Sequence, residues 1–126
     1  MREIKFRGRD GDDWYYGSLF VNECGHTAIS APKSFWMKPV NADTVGQFTG
    51  AKDINGKESY EGDIIKFYDD RAHELVGVIK WNTLACRWYV DCSVRDCPYH
   101  VFDARYAFEI IGNVYDNPEL LEGKDA

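Results

Sequence analysis

Apolar and aromatic runs of five to eight residues, separated at short intervals by polar turn residues, recur along this chain, the pattern of short β-strands. Ile4 and Phe6 fall on one side of an N-terminal strand, and Lys5 and Arg7 fall on the other. Gly8–Asp13 reads as a turn and Trp14–Val21 as an aromatic strand, so residues 4–21 are expected to form a hairpin. Asn22–Gly25 is a second turn and His26–Ser30 a weak strand. Pro32 and Pro39 bracket Ser34–Lys38, which suits an edge strand or an extended loop. Further on, Leu75–Trp81 and Arg87–Asp91 are strands paired across a turn at Asn82–Cys86, and Asp69–Glu74 is a polar loop tip. Cys92–Arg105 is irregular, with room for one helical turn. Tyr106–Tyr115 holds the last strand, bent at Gly112-Asn113. Asn117-Pro118-Glu119 combines an N-cap residue, a proline at the first helical position and an acidic first turn, which predicts a short terminal helix ended by Gly123. No long helical period and no internal repeat is present.

The most informative stretch is Val45–Phe67. Val45–Thr49 is a short strand. Asn55-Gly56 predicts a type I′ hairpin turn, because both residues tolerate positive φ. Gly62, between Glu61 and Asp63, marks a backbone corner. Ile64–Tyr68 is β-branched and aromatic, as strands prefer. The expected fold is therefore all-β in a single domain over residues 1–126. Within it we expect an N-terminal hairpin lobe (1–43), a small SH3-like barrel (44–121) and a short C-terminal helix.

Three blocks carry a family resemblance. Phe48–Ile65 (FTGAKDINGKESYEGDII) resembles the signature of the YopX family of phage and prophage proteins. Met1–Arg7 resembles the start of those proteins, and Glu109–Leu121 resembles their end. Residues 20–44 and 69–106 match no part of that pattern. The resemblance implies a small all-β protein, phage or prophage origin, and no assigned function or catalytic residues.

Composition refines the picture in two ways. Aromatic residues are abundant, with four Trp, eight Tyr and seven Phe; they suit a β core first and interface surfaces second. The net charge of −6 argues against indiscriminate binding to nucleic acid or anionic membrane. No apolar run approaches the ~20 residues of a membrane-spanning helix, and no signal-type apolar region follows the basic start. The expectation is a cytoplasmic protein in the host of a phage or prophage, with its four cysteines reduced.

Candidate chemistry is sparse. Cys86, Cys92, Cys97 and His100 are close in sequence, but only Cys97-Pro98-Tyr99-His100 has a short ligand-like spacing, so zinc lacks its second pair. Cys97 with His100 as a nucleophile and base lacks an oxyanion hole and an orienting partner. Asp10-Gly11-Asp12-Asp13 and Asp53–Gly56 lack the spacing of a calcium loop and are better read as turns. Glu61 and Asp63 flank a glycine corner rather than a cleft. No metal, cofactor or catalytic set is expected, and the expectation is no enzyme.

What remains is surface. Lys5, Arg7 and Arg9 form a basic stripe beside Trp14, Tyr15 and Tyr16. The leading expectation is a non-enzymatic module that binds a protein, either a second copy or a host or phage partner, through this hairpin. Tyr15 is its central contact, alternating with core-facing Trp14 and Tyr16. The alternative is single-stranded nucleic-acid binding by the same basic and aromatic residues, which the net charge disfavours. Asn55, Gly56, Gly62 and Asp63 are expected to be structural.

Overall fold

The computed structural model describes residues 3–31, 37–69, 71–92, 99–102 and 107–121. It is all-β with eleven strands among these residues, all antiparallel where they pair. In chain order they are β1 (Phe6–Asp10), β2 (Asp13–Val21), β3 (Thr27–Ser30), β4 (Met37–Pro39), β5 (Asn41–Lys52) and β6 (Glu58–Tyr60). They continue with β7 (Asp63–Tyr68), β8 (Glu74–Asn82), β9 (Arg87–Asp91), β10 (Tyr99–Val101) and β11 (Phe108–Asn113). Two compact units divide the chain, Met1–Gly50 and Ala51–Ala126. β5, expected only over Val45–Thr49, runs for 12 residues and carries the chain from one unit into the next.

The first unit is one sheet in the order β4-β3-β2-β1-β5. The β1–β2 hairpin forms as expected, but β1 reaches Asp10 and so includes Gly8; the turn is only Gly11-Asp12. β2 changes partner at Gly17, which pairs with Phe6 of β1, while Ser18 pairs with Ser30 of β3. Gly17 has φ +152°, and a Cβ there would lie 2.1 Å from the Ser30 carbonyl oxygen, so the close approach of the two backbones requires glycine. At the sheet's edge, Val40 N–H donates to the Thr27 carbonyl. By alternation Lys38 also faces β3 and Pro39 faces outward, where the missing N–H blunts the edge.

The second unit is a five-stranded sheet in the order β10-β9-β8-β7-β11, with β6 hairpinned onto the end of β5. One face buries Ala51, Ile65, Leu75, Ile79, Val90, Cys92 and Phe108. The other buries Ile64, Val76 and Val78 beneath Ile111, Val114, Leu120 and Leu121. Each fully buried aliphatic side chain here stabilises the fold by roughly 1.5–3 kcal/mol. The Gly62 corner binds the sheet together: Gly62 N–H donates to Ile79 O, its carbonyl accepts from Val114 N–H, and buried Asp63 accepts from Tyr60 N–H at 2.7 Å.

Several expectations need correction. β10 and β11 lie at opposite ends of their sheet, so the described strands form open sheets and no closed barrel. The terminal helix is a single 3-10 turn, Pro118–Leu120. Asn117 makes no side-chain cap there because its Oδ1 accepts from Asn113 N–H instead. Part of the segment expected to be irregular forms β10. The Asn55-Gly56 turn is not type I′: Gly56 has φ +80°, but Asn55 is not in the positive-φ region. It is a three-residue loop in which Asp53 N–H donates to Lys57 O, Gly56 N–H donates to Asp53 O, and Asp53 Oδ1 accepts from Asn55 and Lys57 N–H. The same bonds close Asn22–His26 and Asp69–His73, with Gly25 (φ +82°) and Ala72 (φ +63°) in the place of Gly56. Residues 32–36, Cys97, residues 103–106 and Gly123 lie outside the described residues, with the expectations that fell on them.

Candidate functional site

The β1–β2 register sets the basic and aromatic residues against one another. Arg9 lies opposite Trp14 and Arg7 opposite Tyr16, so both arginines and both rings share a face. The Arg7 guanidinium sits 4.7 Å from the Trp14 ring centre and that of Arg9 sits 5.8 Å away. Lys5 Nζ lies 5.0 Å over Phe48 of β5 and 3.4 Å from Glu3. Cations over ring faces gain about 0.5–1 kcal/mol at exposed sites and more where desolvated. The stripe is thus folded onto its own aromatic floor. Arg7, expected on a solvated face, is only 5% exposed. Thr44 is buried in the same surface, its Oγ1 accepting from Arg9 N–H and donating to Asn41 O.

The aromatic residues depart from the expected order. Tyr16, read as core-facing, is 47% exposed, whereas Trp14 and Tyr15 are half-buried. Lys38 of β4 lies 5.4 Å over the Tyr15 ring and 3.1 Å from Asp10. The hydrogen bond to Asp10 holds the Lys38 ammonium above its ordinary pKa, and the Tyr15 and Asp10 charges add to this. Sequence reasoning missed Lys38 because nothing local links it to Tyr15; only the order β4-β3-β2 brings them near.

This unit also leaves apolar surface uncovered. Among its described residues the buried apolar side chains are few: Ile29 and Phe48. Ile4, Tyr16, Phe20, Val21 and Met37 are all about half exposed or more. Phe20 and Met37 share one face of β2–β4, by way of the pairs Phe20–Ala28 and Ser30–Met37 flanking it. Charge is uneven as well. Residues 1–50 hold six Lys/Arg and six Asp/Glu, while residues 51–126 hold nine and fifteen, so the net −6 belongs to the second unit.

The other candidates do not assemble. Cys86 is exposed on the β8–β9 turn and Cys92 is buried in the core, both as thiols. The His100 ring meets Phe67 edge-on at 5.5 Å. Among the described residues no group of three or more His, Cys, Asp or Glu is placed to hold a metal. Asp53 and Gly56 close a loop in which Asn55 N–H donates to Asp53 Oδ1, and Gly62 and Asp63 build the corner. A surface the sequence did not flag is the β8–β9 tip, where Trp81 packs edge-on against Trp88 at 5.1 Å and Leu84 is 99% exposed. No described helix is long and apolar enough to cross a membrane.

The sequence model of the YopX family, described as YopX protein, matches residues 6–122. The chain belongs to the YopX family. The crystal structure of yopX from Bacillus subtilis is similar, with 28% identity and a TM-score of 0.59 over 94% of this chain and 96% of that one. No curated protein matches. The block resembling the YopX signature, Phe48–Ile65, is the segment that ends β5, closes the Asp53 loop and turns the Gly62 corner.

Proposed function

We propose that this member of the YopX family is a non-enzymatic binding module whose partner is a protein, contacted through the sheet of the first unit. The observation that carries this reading is the imbalance of that sheet: Tyr16, Phe20 and Met37 stay about half exposed while few apolar side chains among the unit's described residues are buried. Contiguous exposed apolar surface on a folded chain marks sites of association. Aromatic residues beside arginine supply the strongest interface contacts. Phage or prophage origin is part of the reading and is supported by the resemblance of the three sequence blocks. Action in the cytoplasm is supported by the thiols of Cys24, Cys86 and Cys92.

The test is truncation of Tyr16 and Phe20. Tyr16→Ala and Phe20→Ala should each cost no more than about 1 kcal/mol of stability, since both side chains are already about half exposed. Self-association, or capture of a partner, should weaken by about thirtyfold, the equivalent of ~2 kcal/mol. Sedimentation and a parallel pull-down measure both, and association that persists in the double variant sinks the assignment. Tyr15→Ala serves as the control: half-buried beneath Lys38, Tyr15 should cost stability when truncated.

A second reading, single-stranded nucleic-acid binding, is favoured by the neutral charge of residues 1–50 and by the cations around Trp14. Binding of an oligonucleotide that weakens steeply with salt and is lost in Arg9→Ala would select it over the protein partner.

A further inference from the structure

The last strand of an open sheet presents outward N–H and C=O groups that another strand can join. In the second unit that strand is β11. Its alternation turns the backbone N–H and C=O of Glu109 toward Lys66 of β7, and those of Phe108 and Ile110 outward along the sheet edge. Two of the outward groups are occupied by a segment that is not a strand. Ile54 N–H donates to the Phe108 carbonyl, and Ile110 N–H donates to Asp53 Oδ2, each at 3.0 Å.

One residue of a parallel strand would make the same two bonds with its own N–H and C=O. Here a carboxylate replaces the carbonyl. Its other oxygen accepts from Asn55 and Lys57 N–H at 2.9 Å each, and those bonds turn the chain away at once. Among the described residues, pairing on this edge is therefore one residue long and cannot propagate through the Asp53 loop. Asp53 is 7% exposed, so the substitute is built into the fold. At the far end of β11, Asn117 Oδ1 accepts from Asn113 N–H, and Asn117 N–H donates to the Asn113 carbonyl at 2.8 Å.

We propose that Asp53 guards the β11 edge against strand pairing with β11 of a second copy of this chain. A second copy is the occupant the strand itself selects. Two identical strands pair antiparallel about a two-fold axis with self-complementary groups. The sequence FEIIGN is apolar and β-branched, and its one charge, Glu109, is already met by Lys66 at 3.5 Å. Little on the strand repels its own image.

The test uses Asp53→Ala and Asp53→Asn in the full chain, read by amide exchange at Ile110 and Glu109 and by sedimentation over a concentration series. In Asp53→Ala, Ile110 exchange should accelerate by about tenfold or more at low concentration while Glu109, bonded to β7, keeps its protection. At high concentration a dimer should form and Ile110 should become protected again. Asp53→Asn keeps an oxygen acceptor and should fall between this variant and the native chain; if Asp53→Ala does not fold, Asp53→Asn carries both measurements. Unchanged Ile110 exchange, an open Ile110 with no added association, or association without concentration-dependent protection of Ile110 would each overturn the proposal. The dimer should survive Tyr16→Ala and Phe20→Ala, which separates it from the interface of the first unit.

Discussion

Three loops with different sequences, Asn22–His26, Asp53–Lys57 and Asp69–His73, close by the same bonds, and their fourth residue decides how easily. Ala72 holds φ +63° where Gly25 and Gly56 hold +82° and +80°. A left-handed conformation costs a non-glycine residue roughly 1–2 kcal/mol, partly offset by the ~0.5–1 kcal/mol of extra chain entropy glycine loses on folding. Ala72→Gly should therefore raise stability by about 0.5–1 kcal/mol, seen as a higher urea midpoint at unchanged slope. Gly56→Val should lower it by about 1–3 kcal/mol; nothing lies within 4 Å of a Cβ there, so backbone strain alone sets the loss. Asp53 adds a pH dependence. Burial opposes its ionisation, but N–H donors from Ile110, Lys57 and Asn55, with the Lys57 charge, outweigh burial and hold the carboxyl below its ordinary value. A lowered carboxyl stabilises the fold above its unfolded pKa of about 3.9, and that stability is lost as pH falls through the folded value. Acid should thus lower the urea midpoint of the native chain more than that of Asp53→Asn. At this scale the sequence announced a turn at Asn55-Gly56 but not its type, because the Asp53 side chain bonds forward to Asn55 and Lys57 rather than leaving Asn55 to turn left-handed.

Strands were legible where β-branched and aromatic residues run together, as in β7, β8 and β9. β5 was under-read because Gly46 and Gly50 interrupt its pattern, and Gly50 has φ +95° within the strand. β10 was missed because three residues carry no readable period. The terminal helix was over-read: the sequence supplied cap, proline and acid, but Asn117 is held by Asn113 and cannot cap. Gly17 shows what an element needs where it changes neighbours. In Gly17→Ala the new methyl group would meet backbone, the Ser30 carbonyl, which cannot rotate aside as a flexible side chain can. The expected loss is about 2–4 kcal/mol, combining overpacking with strain at φ +152°. Amide exchange should show the β2–β3 pairs weakened first; an unchanged urea midpoint would mean the strands can part there without loss.

Across the molecule, core and charge are divided unequally: both apolar clusters formed by the described residues, and the net negative charge of the sequence, lie in the second unit. Neither division was legible, because composition averages over the chain and the division falls inside one strand. The thiols can report on it. Cys24 and Cys86 are exposed and Cys92 is buried, so native protein should label at Cys24 and Cys86 within minutes and at Cys92 only as the second unit opens. Peptide mapping of labelled protein across a urea series checks this, and early labelling of Cys92 would show that the second unit opens well below its unfolding transition. The shared loop closure bears on how such a molecule can diversify. Each of the three loops is specified at two positions, an Asn or Asp that bonds forward and a fourth residue able to turn left-handed. The remaining positions are unconstrained by closure, so mutation there alters what the tips display without disturbing the strands they join. A lineage built on such joints can explore new surfaces by single substitutions, and a designer can exchange one tip for another as an interchangeable part.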